Sequence, residues 1–229
     1  MWCARDAVVL KALAMVLTPH LRPHLSEKIF HLAVSGGPKA AVRVVAREMK
    51  TNRFVFRTDV KSYYASIDHD VLMVQLRRLI RDRMVLRLVH LYLHHLEECG
   101  GTYREVSQGL CLGCPPSPLM GALFLKHIGE AIELSGLTYV RFMDDWVTLS
   151  PTRWKLRRAV AAVNRILSGL RLAKHPDKTF IGYIARGFDF LGYHFSPDEV
   201  ARKTVRNFAE KVVGLCRVQG GPCSYGRLC

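Results

Sequence analysis

Two adjacent aspartates, Asp144 and Asp145, stand between two short apolar runs, 137–140 and 146–149. This spacing predicts a tight β-hairpin that carries both carboxylates at its turn. Two like charges about 4 Å apart repel by roughly 4 kcal/mol at an effective dielectric of about 20, unless a cation lies between them. A divalent metal removes this repulsion, and Mg²⁺ is commonly held by carboxylates together with substrate phosphates. A third aspartate, Asp59, ends another apolar run that is predicted to be a strand.

The charge of the chain points to a polyanionic partner. Lys and Arg number 34 against 19 Asp and Glu, which leaves a formal charge of +15. Neutralising phosphates releases counterions, so such an excess favours nucleic acid, although a basic protein that is merely soluble is the alternative. Three carboxylates on two predicted strands of so basic a chain suggest a two-metal phosphoryl-transfer site.

Cysteine usage and hydropathy indicate the compartment. The seven cysteines show no paired framework, which favours a reducing environment, and the apolar start of the chain is interrupted by charges. No run reaches the length needed to cross a bilayer, so we expect a cytoplasmic protein with no membrane association.

The remaining periodicity predicts an α+β fold in which helices back an antiparallel sheet. Helices are predicted over 4–18 (ended by Pro19), 38–50, 85–96, 117–135 and 153–169, and after a cap at Asp68. Strands are predicted over 53–59 and 102–106, in the hairpin with the two aspartates, and in a second hairpin over 179–195. From Gly214 onward the chain is rich in Gly and Cys, and we expect an irregular tail there.

Five short motifs follow one another along the chain: 56–64 (FRTDVKSYY), 108–119 (QG…CPPSPL), 142–145 (FMDD), 178–179 (KT) and 190–193 (FLGY). Together they resemble the palm of a reverse transcriptase of the bacterial type related to group II intron and other retroelement enzymes. The resemblance implies a right-hand polymerase with partial fingers and a truncated thumb. The implied domains are partial fingers at 1–52, palm at 53–195, and the start of a thumb with the irregular tail at 196–229.

The resemblance also implies two Mg²⁺ ions, with Mn²⁺ as an alternative, bound by Asp59, Asp144 and Asp145. The backbone carbonyl of Val60 would add a ligand. One ion would activate the primer 3′-hydroxyl and the other would hold the incoming triphosphate. Asp59 and Asp144 are expected to bridge the ions, whereas Asp145 points differently along the turn and would act mainly electrostatically. Lys178 resembles a lysine that protonates the leaving pyrophosphate, with an exposed structural lysine as the alternative.

Other residues are implied to contact the nucleotide, the template or the primer. Tyr64 corresponds to an aromatic steric gate that excludes a 2′-hydroxyl and so favours deoxynucleotides. A buried core tyrosine is the alternative, since Tyr63 adjoins it and only one of the two can face the site. Gln108, Gly109 and Pro115 are implied to belong to a loop that contacts the template and the nucleotide. Met143 is implied to contact the primer terminus, and Gly192 is implied to belong to the primer grip. The alternative for the loop is an ordinary Gly/Pro turn before a helix, and the alternative for the primer grip is a plain core hairpin.

The predicted function is therefore RNA-directed DNA polymerase, with an RNA template, a DNA or RNA primer and dNTPs as partners. Two departures from the family pattern weigh against it: the basic loop expected before the second helix is replaced at 33–39, and only residues 200–214 could begin a thumb. These departures leave two alternatives. One is a maturase-like palm that binds structured RNA without synthesising DNA, and the other is a decayed gene product. The oligomeric state is not predicted.

Overall fold

The computed structural model describes residues 3–33, 35–197 and 199–202. Its α-helices are α1 (Ala4–Leu21), α2 (Gly37–Glu48), α3 (His69–Leu79), α4 (Arg83–Leu93), α5 (Ser117–Phe124), α6 (Lys126–Leu134) and α7 (Arg153–Gly169). Its strands are β1 (Phe54–Asp59), β2 (Leu96–Cys99), β3 (Thr102–Glu105), β4 (Thr138–Phe142), β5 (Asp145–Ser150), β6 (Phe180–Tyr183), β7 (Phe188–Phe190), β8 (Tyr193–Phe195) and β9 (Val200–Arg202). The elements confirm an α+β fold.

Four antiparallel strands form the central sheet in the order β4-β5-β1-β6. Strands β4 and β5 make the predicted hairpin, and β5 also pairs with β1 although some ninety residues separate them in the chain. In this register Asp59 lies opposite Asp145. The end of β1 and the turn of the hairpin therefore meet at one edge of the sheet.

Side chains alternate between two cores, one on each face of the sheet. Phe56 and Trp146 point into the larger core with residues of α1, α3, α5, α6 and α7. Val55 and Val147, their neighbours in the chain, point into a second core with α2 and with the small sheet β7-β8-β9. All four side chains are fully buried, so the strands carrying the carboxylates are held from both sides.

Local helix signals are confirmed at some positions and wrong at others. The Asp68 carboxylate accepts a hydrogen bond from the Val71 amide, which is the predicted cap of α3. Helix α1 runs past Pro19 to Leu21, because a proline in the last turn removes only one backbone bond. Leu96 begins a strand instead of continuing the α4 face, and the helix predicted over 117–135 is interrupted at Leu125.

The hairpin predicted over 179–195 is wrong. Strand β6 pairs with β1 at the edge of the central sheet, and only β7 and β8 pair with each other, in a separate sheet completed by β9. Val200–Arg202 is a strand, so the thumb helix predicted from residue 200 does not begin there. The rest of that prediction and the predicted tail lie outside the described residues. Across the described residues, no helix combines the length and apolarity that crossing a bilayer requires.

Candidate active site

Two of the three predicted carboxylates are held by basic side chains. Asp145 accepts two hydrogen bonds from Arg57, from Nε at 3.2 Å and from Nη2 at 3.0 Å, and both side chains are largely buried. Lys178 donates from Nζ to Oδ2 of the buried Asp59. The structure thus pairs Lys178 with one of the three predicted carboxylates, and its predicted role toward the leaving pyrophosphate stays a prediction. Arg57 was not predicted.

Asp144 lies between these pairs at the turn of the β4–β5 hairpin. Burial and the nearby Asp59 carboxylate raise the pKa of Asp144 to about 7. Burial also raises the pKa of Asp145, although its bonds from Arg57 favour the ionised form. In the absence of an added cation, the site thus disfavours full ionisation of its carboxylates.

The residues present fit a divalent cation. Oδ1 of Asp59 is buried and has no hydrogen-bond partner among the described residues. The Asp59 carboxylate is also close enough to Asp144 to raise the pKa of Asp144. Mg²⁺ is typically bound by one or two carboxylates plus substrate phosphates, which Asp59 and Asp144 satisfy. Within the described residues, no three His, Cys, Asp or Glu side chains are grouped closely enough to hold a metal ion by themselves, and Asp145 is engaged by Arg57. Val60 is buried next to Asp59 and pairs with Lys174.

The turn itself is fixed by two residues that the sequence analysis missed. Met143 has a left-handed backbone with a φ of 55°, which disfavours a residue with a Cβ atom. Its amide donates to Nδ1 of His31 at 2.9 Å, and its carbonyl accepts from Nε of Arg141 at 2.6 Å. Both backbone polar groups of the strained residue are therefore held by side chains.

Arg141 is fully buried in the sheet, and no carboxylate of the described residues forms an ion pair with it. Its Nη1 and Nη2 atoms donate to the carbonyls of Ala122 and Gly121, at 3.2 and 2.6 Å. With the Met143 bond, three carbonyl oxygens share the guanidinium charge. Arg141 therefore joins the turn that carries Asp144 to helix α5. A charged residue between Val140 and Phe142 in a predicted strand was a sequence signal for this role.

His31 is a neutral ring with a defined tautomer. Since Nδ1 accepts from the Met143 amide, Nε2 carries the proton and donates to the Pro118 carbonyl at 3.2 Å. Burial and the charge of Arg141 lower the pKa of His31 to about 4. The contribution of His31 to stability is therefore present above about pH 6.5 and is lost as the pH falls toward 4, because the unfolded chain gains the proton first. The sequence held no comparable signal for His31.

The two adjacent tyrosines differ in burial and in hydrogen bonding. Tyr63 is buried and donates its hydroxyl to the Gly121 carbonyl at 2.5 Å. Tyr64 is half-buried against Gly121, where an added Cβ would lie 3.2 Å from the Tyr64 ring. Burial raises the pKa of Tyr64 to about 12; the charge of Arg141 opposes this shift and that of Asp144 adds to it. Burial and the charge of Asp144 raise the pKa of Tyr63 as well, so both rings lie near that carboxylate, and Tyr64 is the more exposed of the two.

The predicted template loop is fastened to the segment that carries Tyr64. Gln108 donates from Nε2 to the Ser66 carbonyl, and the Gly109 amide donates to the Ile67 carbonyl. Gly109 has a φ of 95°, and an added Cβ would lie 3.1 Å from the backbone of Ala65. A side chain is therefore disfavoured there both by conformation and by space.

Two predicted site residues lie apart from this cluster. Gly192 is in the exposed turn between β7 and β8, where positive φ at Leu191 and Gly192 matches a two-residue hairpin loop. Pro115 is exposed just before α5. In the described part of the chain, neither is joined to the three aspartates by a hydrogen bond or an ion pair. Their predicted contacts with primer and template stay predictions.

Known proteins resemble this chain in sequence. Residues 4–195 match the family model of "Reverse transcriptase (RNA-dependent DNA polymerase)". The protein YkfC of Escherichia coli is 24% identical over 92% of this chain and 69% of its own length. A putative COX1/OXI3 intron 1 protein of Saccharomyces cerevisiae is 24% identical over 77% of this chain, but this covers only 21% of the yeast protein.

Solved structures show the same fold. Apo telomerase from Candida tropicalis, truncated from its C-terminal domain, matches 86% of this chain with a TM-score of 0.66 at 12% identity. Telomerase from Candida albicans in complex with a fragment of telomeric RNA matches 98% with a TM-score of 0.64 at 13% identity. The chain spans 45% and 44% of these two proteins. The family match covers most of the chain and its predicted motifs, and the chain therefore belongs to the reverse transcriptase (RNA-dependent DNA polymerase) family.

Proposed function

We propose that this chain is an RNA-directed DNA polymerase, which adds dNTPs to a primer 3′-end on an RNA template in the cytoplasm. The observation that carries the proposal is the meeting of Asp59 with Asp144 and Asp145 at one edge of the sheet. An unpartnered carboxylate oxygen and a raised carboxyl pKa are what a cation-binding phosphoryl-transfer site requires before its cations bind.

Asp59 and Asp144 would hold two Mg²⁺ ions, with Mn²⁺ as a substitute. When bound, these ions lower the pKa of the attacking hydroxyl and neutralise charge on the phosphates. Asp145 would add negative charge near these ions, and Arg57 fixes the orientation of its carboxylate. Lys178 lies close enough to Asp59 to meet a triphosphate bound there, which supports its role as donor to the pyrophosphate.

The test is primer extension by the purified chain with an annealed DNA primer on an RNA template. We expect incorporation with Mg²⁺ and dNTPs, none with EDTA, and recovery when Mg²⁺ is restored in excess. The same primer on a DNA template, and the same reaction with rNTPs, define the template and the sugar that the chain uses. A folded chain that binds the RNA template but extends no primer under any of these conditions would instead favour a maturase-like binding role.

Sugar selection provides a separate prediction. The Tyr64 ring packs against Gly121 and its hydroxyl has no hydrogen-bond partner among the described residues, so its bulk is the property that matters. We expect Tyr64→Val to raise the rate of rNTP relative to dNTP incorporation by roughly 10- to 100-fold, a range typical of steric discrimination. The measurement is single-nucleotide extension with competing dNTP and rNTP.

The matched control is Tyr63→Phe. It removes the hydroxyl bonded to Gly121 and leaves the Tyr64 ring in place. We expect this variant to lose stability but to keep the sugar preference of the parent chain. Equal loss of preference in both variants would mean that Tyr64 does not act as the gate.

A further inference from the structure

A groove lies at the end of the sheet that is remote from the aspartates. Helix α7 packs on β1 and β5 but leaves the edge strand β6 uncovered, so that Ile181 and Tyr183 are each about half exposed. The resulting β6 groove has a volume of about 510 Å³ and is lined by Phe54, Arg153, Arg157, Ile181, Tyr183 and Arg186. Its floor is completed by apolar residues of α7.

The charge of the β6 groove has one sign. Arg153, Arg157 and Arg186 are exposed around it, and Lys50 and Arg53 line an adjoining hollow that shares Tyr183. Among the residues that the structure describes, no Asp or Glu lines either depression. Within the described residues, none of these five basic side chains forms an ion pair. Uncompensated cations at this density favour a polyanionic ligand.

The apolar part of the β6 groove is aromatic. Tyr183 lies opposite Phe54 in the β1–β6 ladder, and the two ring centroids are 4.7 Å apart. The Phe54 ring packs against the tyrosine ring, and about half of Tyr183 remains exposed. A supported, exposed aromatic ring between arginines is the arrangement on which single-stranded nucleic acids stack their bases while their phosphates meet the cations.

We propose that the β6 groove is a second nucleic-acid site that binds single-stranded RNA. A base stacks on Tyr183, and the flanking phosphates pair with Arg153, Arg157 and Arg186. Along β1, Phe54 is five residues from Asp59, a distance of about 17 Å. The groove is thus separate from the aspartates, and an RNA held there does not occupy the polymerase site. The proposal concerns binding alone and stands whether or not the chain extends a primer.

The first test measures the affinity of the full chain for a labelled single-stranded RNA by fluorescence anisotropy at several salt concentrations. We expect Arg157→Gln with Arg186→Gln to weaken binding about 10-fold or more and to reduce the salt slope by about 1.4, since each single-strand phosphate contact adds about 0.7. We expect Tyr183→Ser to weaken binding about 5-fold or more without changing the slope, because stacking carries no charge.

The matched control is Arg77→Gln with Arg78→Gln on helix α3, which removes the same charge from two exposed positions away from the groove. We expect less than a twofold change in affinity. Photo-crosslinking of a thiouridine-containing RNA locates the bound RNA on the chain independently of the affinity measurements. We expect the crosslinked peptide to include Tyr183. Thermal melting confirms that each variant is folded.

Some outcomes would overturn the proposal. If control and groove variants weaken binding equally, the chain binds RNA only through its overall charge. If Tyr183→Ser has no effect, or duplex RNA competes as well as single-stranded RNA, the groove is not a stacking site. Protection of the β6 edge by a peptide instead of RNA would identify a strand-addition site. Primer extension at saturating template should be unchanged in the groove variants, which separates this proposal from the polymerase proposal.

Discussion

Replacing Asp144 with asparagine is expected to reduce nucleotide incorporation by about 10³-fold or more. Under the proposed function Asp144 and Asp59 would share a divalent cation, and the amide of asparagine cannot supply the negative charge. Loss of one preorganised electrostatic group at a reacting centre typically costs about 10²- to 10³-fold, and here the cation itself is also bound less tightly. Single-turnover primer extension in Mg²⁺ measures the effect.

The same substitution should stabilise the fold when no divalent cation is present. Burial and Asp59 raise the pKa of Asp144 to about 7, so the favourable contribution of its protonated form is present below about pH 4 and is lost as the pH rises through 7. Asparagine never ionises. We therefore expect a higher melting temperature for Asp144→Asn than for the parent chain at pH 8 in EDTA, and a smaller difference at pH 4.

The control for both measurements is Asp70→Asn, which removes an exposed carboxylate from the first turn of α3. It should leave incorporation within about twofold and lower the melting temperature slightly, through loss of a favourable helix-end charge. Near-normal incorporation by Asp144→Asn would remove Asp144 from the catalytic machinery. A lower melting temperature for that variant at pH 8 in EDTA would show that its carboxylate is not under electrostatic strain.

Replacing Arg141 with methionine is the second change with a large expected effect. Methionine fills a similar volume but leaves the carbonyls of Ala122 and Met143 without the guanidinium donor, whereas the Gly121 carbonyl still accepts from the Tyr63 hydroxyl. Each buried acceptor left unsatisfied costs about 1–3 kcal/mol, so we expect a loss of about 3 kcal/mol or more in the free energy of unfolding. For a chain of this size the melting temperature should fall by roughly 10 °C.

Activity should fall in this variant even at temperatures where it is folded. The Met143 carbonyl loses its donor, and among the described side chains His31 is then the remaining one bonded to the Met143 backbone. His31→Phe is the companion change: it retains a ring against Phe142, loses the bond to the Met143 amide and removes no charge. An Arg141→Met chain with normal stability and normal extension would show that the turn needs no support from the guanidinium.

The sequence was most informative where the signal is local. A pair of aspartates between two apolar runs was sufficient to predict the β4–β5 hairpin, and a polar residue before an amphipathic segment was sufficient to predict the cap at Asp68. Motif order then predicted that β1 would deliver Asp59 to the same place. The family and the antiparallel sheet backed by helices are confirmed.

The failures share a non-local cause. Strand β6 is close in sequence to β7, but it pairs with β1, which lies more than a hundred residues earlier in the chain. Nothing in the local pattern around 179–195 reports on β1. In the same way, Arg141 and His31 act on Met143 through contacts with segments far away in the chain, which a pattern of neighbours does not reveal.

The ion pair between Arg57 and Asp145 has a consequence for how the chain assembles. The two residues lie on one face of adjacent strands, in a diagonal relation, while Asp145 is directly opposite Asp59. A shift of one residue between β1 and β5 would turn Arg57 and Asp145 to opposite faces of the sheet. The bidentate bond then breaks and leaves two charges inside the protein, so mispaired sheets are penalised. The ion pair of Arg57 therefore favours the native register of β1 and β5, which is the register that brings the aspartates together.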